Sequence, residues 1–244
     1  MRIAIISDIH ANLAAFNAVL DDIRAQRSVG KYWCLGDVVG YGPDPCECIE
    51  ALYRLDHVCV AGNHDLAAVG KIGLEEFNPD AAAAAKWTAS RLTQTDISYL
   101  QELPLTLIEG DFTLVHGSPR DPIWEYVLSE NLAAENLPYF TTKFCLVGHS
   151  HVPLTFTFQQ KGEVSGKRWS ATEKIVTAGE RMIINPGGVG QPRDRDPRAS
   201  YAIYDSEEGS VMLHRVPYEI RATQKRMAEL GLPQSLIARL GYGV

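Results

Sequence analysis

The chain is short of several things, and each shortage narrows the field. It lacks an excess of positive charge: 23 Lys and Arg stand against 30 Asp and Glu, giving a net charge of −7. Such a chain carries no global electrostatic footprint for duplex nucleic acid, which counts against a DNA nuclease. A polyanionic substrate would need local help, from metals or a few arginines. Cysteine is scarce, with five residues, an odd number. Cys34, Cys59 and Cys145 sit in apolar, strand-like runs, so a disulfide framework is disfavoured and a reducing, cytoplasmic setting is expected. Cys46-Glu47-Cys48 has no matching pair elsewhere and reads as the start of a helix, not a soft-metal site. No apolar run approaches the ~18 residues of a membrane span. The opening apolar stretch is short and ends on Asp8, which does not suit a secretory signal. No membrane partner is therefore expected. With no internal repeat, low-complexity linker or domain boundary visible, residues 1–244 are expected to form one domain. That length can bury roughly 70% of the extended-chain surface.

What is present is a recurrence of short apolar runs, at residues 3–7, 32–35, 57–61, 112–115, 144–147, 182–184, 201–204 and 211–214. Between the early runs the spacing changes. Asn12 can cap a helix over residues 13–27, whose apolar positions recur at three- and four-residue steps. Asp44-Pro45 opens another over residues 46–55, with proline at the first helical position. Alternating strand and helix argues for parallel strands covered by helices. Beyond residue 152 strands dominate. Residues 152–159 and 175–178 flank the polar stretch 161–172 and predict a hairpin or excursion. Residues 66–103 differ: 80–90, with five consecutive alanines, is a strong helix former, and 95–103 predicts a second short helix. This segment is a candidate helical cap. Residues 218–231 and 233–240 predict two closing helices.

Five short motifs carry the chemistry, each just after an apolar run. They are Asp8-Ile9-His10, Gly36-Asp37, Gly62-Asn63-His64-Asp65, His116-Gly117 and Gly148-His149-Ser150-His151. In open α/β sheets ligands bind beyond the carboxyl ends of strands, so five loops spread over residues 8–151 can converge. Taken singly, Asp-x-His, Gly-Asp and His-Gly read as turns and caps. Three polar groups after Val58-Cys59-Val60, and paired histidines after Phe144-Cys145-Leu146-Val147, are harder to explain by packing. Together they offer carboxylate, imidazole and one amide oxygen, a set suited to Mn, Fe, Co, Zn or Ni. Two adjacent divalent ions of this kind clamp the oxygens of a phosphate ester. His57 and His214 lack such a context and are read as structural.

The pattern DxH…GD…GNH[DE]…H…GHxH resembles that of the calcineurin-like metallophosphoesterases, matched here over residues 8–151. The resemblance implies a two-sheet αββα sandwich, an α/β fold of the α+β kind, with the cap inserted at residues 66–103. It implies two divalent ions, with manganese favoured. Asp8, His10 and His151 would hold one ion, and Asn63, His116 and His149 the other, with Asp37 bridging. His64 would assist the leaving group and Asp65 would orient His64 by accepting a ring N–H. The reaction implied is hydrolysis by a metal-bridging hydroxide. Gly40-Tyr41 stands where the Ser/Thr protein phosphatases of this family carry Asp-Arg, which puts that activity in doubt. The stretches around residues 36–45, 116–122 and 185–193 are similar to small prokaryotic members related to diadenosine tetraphosphate hydrolases. The resemblance thus points to a small nucleotide-like phosphodiester or dinucleoside polyphosphate. The alternatives are a phosphomonoesterase, including a protein phosphatase, and a scaffold that only binds partners. Arg120 and Arg193, with Arg195 behind them, are candidate phosphate-gripping residues. Tyr41 is a candidate for base stacking. An oligomer is compatible with all of this.

Overall fold

A computed structural model describes residues 1–26, 29–159, 162–176 and 179–244. Two six-stranded sheets lie face to face. The first holds β1 (Arg2–Ile6), β2 (Val29–Cys34), β3 (His57–Cys59), β9 (Lys174–Val176), β11 (Ala199–Asp205) and β12 (Ser210–Val216), in the order β3-β2-β1-β11-β12-β9. The second holds β4 (Thr106–Glu109), β5 (Phe112–Val115), β6 (Phe144–Leu146), β7 (Pro153–Phe158), β8 (Val164–Arg168) and β10 (Arg181–Pro186), in the order β4-β5-β6-β10-β7-β8. Each sheet is mixed. β1, β2 and β3 run parallel, as do β5, β6 and β10, and antiparallel strands flank both trios.

The unbroken apolar runs follow from burial on both faces. In β1, Ile3 and Ile5 point between the sheets, where they join Trp33, Leu35, Phe112, Leu114 and Ile184. Ala4 and Ile6 point the other way, against Phe16, Val19 and Ile23 of helix α1 (Leu13–Ala25) and Ile49 and Leu52 of α2 (Pro45–Tyr53). Asn12 caps α1, its Oδ1 accepting from the Ala15 N–H at 3.2 Å. Arg27, to which that helix was expected to run, lies outside the described residues. Asp44 precedes α2 without a side-chain cap and pairs instead with Arg226. The second sheet's outer face packs Val115, Cys145, Val147 and Ile183 against Ala133 of α6 (Glu130–Asn136). All five cysteines are free. No helix among the described residues is long and apolar enough to cross a membrane.

Of the two readings of the polar stretch 161–172, a hairpin tip or an excursion, the described residues show the excursion. It contains β8, which pairs with β7, while β9 crosses to the other sheet and pairs with β12. Residues 161, 177 and 178 lie outside the described residues. The 66–103 segment begins within the short helix α3 (Asn63–Ala68) and carries α4 (Pro79–Ala89) and α5 (Gln94–Glu102). Leu100 of α5 is buried in the core beneath the first sheet. Ala81 and Ala84 of α4 pack with Met227 of α7 (Ile220–Glu229) and Leu236 and Ile237 of α8 (Gln234–Arg239). Small alanines let these helices approach closely. Only Glu76, Phe77, Asn78 and Ala81 of the segment reach the cleft described next.

Candidate metal centre

The carboxyl ends of both parallel trios meet at one place. Asp8 and His10 follow β1, Asp37 follows β2, and Asn63 and His64 follow β3. His116 follows β5, and His149 and His151 follow β6. Asp8, His10, Asp37, His149 and His151 all adopt positive φ, between 49° and 62°. That conformation costs free energy in residues other than glycine and persists where the surroundings enforce it. Here the enforcement is loop-to-loop hydrogen bonding. Asp8 N–H donates to Gly36 O at 3.0 Å, His10 N–H to Asp37 O at 2.9 Å, and Gly190 N–H to Asp8 O at 2.9 Å. At Gly62 a β-carbon would lie 2.0 Å from Asp37 Oδ1, so the approach of these two loops requires glycine.

Two clusters result, and they share one residue. Asp8, His10, Asp37 and His151 present ligand atoms within 4.8 Å of one another, as do Asp37, His116 and His149, all of them buried. Asn63 Oδ1 joins the second cluster, 3.2 Å from His116 Nε2. Asp8 Oδ1 and Asp37 Oδ2 are buried without a hydrogen-bond partner. The imidazoles face each other in pairs, His10 Nε2 to His151 Nε2 at 3.0 Å and His116 Nε2 to His149 Nδ1 at 3.1 Å. Their outer nitrogens each meet a backbone carbonyl: Val39 at His10, Leu35 at His116, Trp124 at His149 and Gln191 at His151. A carbonyl accepts only, so each outer nitrogen carries the proton. At His10 and His151, which burial pushes towards the neutral form, the inner nitrogens then turn lone pairs towards one another, as metal-ligating histidines do. Orphaned carboxylate oxygens and opposed lone pairs are costly when buried without a cation between them. The residues present thus fit divalent cations, with Asp37 common to both clusters.

Charge tells the same story. Burial works against ionised His116, yet Asp37 beside it wins and raises its pKa to about 10. In the metal-free chain its proton occupies the place of a cation. Burial also opposes ionised Asp37, but His116 and its other neighbours hold it well below the usual carboxylate range. Burial pushes His149 down to about 3 and His64 down to about 4, so both are neutral at physiological pH.

His64 lies beside the centre. Its ring packs against Tyr41 and Phe77, with centroids at 4.2 and 5.0 Å, and its Nδ1 is buried without a partner. A β-carbon at Gly40 would come within 2.5 Å of that nitrogen. Asp65 does not accept from the His64 ring, contrary to expectation. Its Oδ2 accepts from Asp37 N–H at 2.8 Å and Gly62 N–H at 3.0 Å, and its Oδ1 from Val39 N–H at 3.1 Å. It ties the two loops of the centre together, because the first turn of α3 aims its carboxylate back along the chain. Burial and then Asp37 raise its pKa to about 7.

The centre forms the floor of a cleft of about 560 Å³. Arg193 and Tyr41 line it, with the guanidinium 5.8 Å from the tyrosine ring centroid. Arg120 does not line it. That side chain pairs with Glu125 and, at 2.7 Å, Glu135, so the loop after His116 presents Asp121, Trp124 and Tyr126 instead. Asp194 and Asp196, the neighbours that could have neutralised Arg193, pair with Arg215 and Arg198. Arg195 is exposed outside the cleft. His57 bonds the Leu55 carbonyl and Tyr99, and His214 stacks on Tyr201, both away from the centre. Sequence reasoning missed Gln191, Trp124, Tyr126 and Phe77. Gln191 lies within the stretch 185–193, and the aromatic pair Trp124 and Tyr126, eight and ten residues after His116, is the sequence signal for that wall of the cleft.

Comparison with known proteins agrees with the geometry. The model of the calcineurin-like phosphoesterase superfamily domain matches residues 1–209. A crystal structure of a metallophosphoesterase from Sphaerobacter thermophilus is 49% identical, covers 100% of this chain and 99% of its own, and superposes with a TM-score of 0.91. An uncharacterized protein of Methanocaldococcus jannaschii, MJ0912, is 39% identical over 99% of this chain and 98% of its own length. A symmetrical bis(5′-nucleosyl)-tetraphosphatase of Nitrosococcus oceani is 30% identical over 55% of this chain and 50% of its own.

Proposed function

The chain belongs to the calcineurin-like phosphoesterase superfamily, and we propose that it hydrolyses a small nucleotide-like phosphodiester or a dinucleoside polyphosphate with two divalent ions. The observation that carries this reading is Asp37. It belongs to both ligand clusters, and its Oδ2 is buried without a partner between His10 Nε2 at 3.6 Å and His116 Nε2 at 3.3 Å. Asp8, His10 and His151 would hold one ion, and Asn63, His116 and His149 the other. When bound, the ions supply acidified water and neutralise charge on the phosphoryl oxygens.

The remaining work falls to side chains. His64 is neutral, lines the cleft and has no hydrogen-bond partner for its buried Nδ1. In this reading His64 meets the leaving oxygen and donates there, a role worth about 10²–10⁴-fold. Arg193, which lines the cleft, would hold a non-bridging phosphate oxygen. The tetraphosphatase named above supports the dinucleotide arm of the proposal, at moderate identity over half its length. The test is manganese-supported turnover of bis-p-nitrophenyl phosphate, p-nitrophenyl phosphate and diadenosine tetraphosphate, before and after chelation. Metal-dependent cleavage of the diester or the dinucleotide is expected. Inertness towards all three would contradict the proposal.

A further inference from the structure

The cleft carries aromatic surface and negative charge where a polyphosphate would need positive charge. Among the described residues, Arg193 is the one lysine or arginine on its wall. Arg239 stands behind, touching Gln191 Oε1 at 3.3 Å as Arg193 does at 2.9 Å, without lining the cleft. Arg120, the other basic candidate, is turned away into its two glutamates. Glu76 and Asp121 line the cleft instead, Asp121 with its Oδ1 accepting from the Ile123 and Trp124 N–H groups at 3.2 Å. A dinucleoside polyphosphate brings one negative charge for each linking phosphate, and the ions and Arg193 can serve only the phosphate under attack. The others would lie against two carboxylates, and like charges brought together repel.

The remaining walls suit a different ligand. Phe77 meets His64 edge-on at 5.0 Å and Trp124 edge-on at 5.2 Å. Tyr126 lies flat on His149, its centroid 4.0 Å away and the planes 13° apart, and is 41% exposed. The aromatic wall therefore begins at His64, the residue proposed to meet the leaving group, and runs to His149 of the second ligand cluster. Ring faces of this kind take bases and aryl groups by stacking.

Resting on the phosphoesterase reading, we propose that the substrate is a phosphodiester bearing a single negative charge and at least one aromatic or heterocyclic group, which packs on Phe77 and Trp124. Glu76 and Asp121 exclude polyphosphates. The charge of the substrate is thus matched to one guanidinium and two ions.

The test combines binding with turnover on manganese-loaded protein at a fixed free-metal concentration, since polyphosphates chelate. In calorimetry, diphenyl phosphate should bind at least about tenfold more tightly than dimethyl phosphate. Phe77→Leu and Trp124→Leu, which keep apolar bulk but lose the ring face, should collapse that difference. In turnover, kcat/KM for bis-p-nitrophenyl phosphate should exceed that for diadenosine tetraphosphate by about tenfold or more. The double variant Glu76→Gln, Asp121→Asn should narrow the gap by about tenfold. Equal binding of the two diesters, or a preference for the dinucleotide, would overturn the inference while leaving the phosphoesterase reading intact. Selective binding of diphenyl phosphate with no turnover of any ester would overturn catalysis and leave the recognition inference standing.

Discussion

At the scale of single residues, the centre separates those that hold charge from those that hold geometry. His64 lines the cleft and supplies no atom to either ligand cluster, although its backbone N–H donates to Asp37 Oδ1 at 2.9 Å and its ring meets His10 edge-on at 4.9 Å. His64→Ala is therefore expected to retain both ions and to lose about 10²–10⁴-fold in kcat. Loss of metal from that variant would make His64 a ligand. Asp65 acts on loops rather than on His64, so Asp65→Asn, which keeps two of three backbone acceptances at best, should lower metal affinity about 10–100-fold. A change in kcat with metal affinity intact would restore the orienting role. Arg120→Ala should change KM for the diester less than about twofold, whereas Arg193→Ala should raise it about tenfold or more. His116, with its pKa near 10, must give up a proton when an ion takes its place. Titrating manganese into weakly buffered apoprotein at pH 8 should release about one proton per chain, and no release would contradict the assignment. The candidate ligands were legible because each motif ends an apolar run. The role of Asp65 was not, because a side chain's direction depends on the helix it opens, and Arg120 was misjudged because its partner Glu135 lies on α6, fifteen residues away.

At the scale of elements, what could be read from the sequence tracks burial. β1, β5 and β6 are buried along nearly their whole length, and their apolar runs mark them within a residue or two. β4 and β8 are edge strands that pair on one side only, with Ile108 66% exposed and the residues after Val164 all exposed. Each sends one apolar side chain to the core, Leu107 from β4 and Val164 from β8, so the apolar signal is weak. The cap segment divides in the same way: α4 and α5 were visible through alanine content and spacing, but not that both pack on the body. That packing gives a prediction. Ala84→Leu would force bulk between α4 and α8 and should destabilise the protein by about 1–3 kcal/mol. Thermal unfolding checks it; an unchanged midpoint would mean that the segment is not docked as described.

For the whole molecule, the strain and buried charge of the centre are a debt that the fold carries until ions arrive. Without metal, His10, His64, His149 and His151 have pKa values pushed below the ordinary imidazole value by burial. The unfolded chain takes up protons near pH 6.5 that the native rings refuse. Stability from these groups is present above that pH and is lost as pH falls towards about 4. Asp65 and His116 act in the opposite sense, holding native protons up to about pH 7 and about pH 10, but they are two groups against four. Chelator-treated protein should thus lose on the order of 5–10 °C in unfolding midpoint between pH 7 and pH 5. A midpoint rising over that interval would show that the charges are arranged otherwise.

The central claim is that Asp37 joins two ions in one centre. The direct measurement is metal content per chain, by elemental analysis after manganese loading and removal of free ion, for the parent protein and for Asp37→Asn. Two ions per chain in the parent, and loss of at least one in a variant that remains folded, are the expected result. A single ion in the parent, or two retained in the variant, would contradict it.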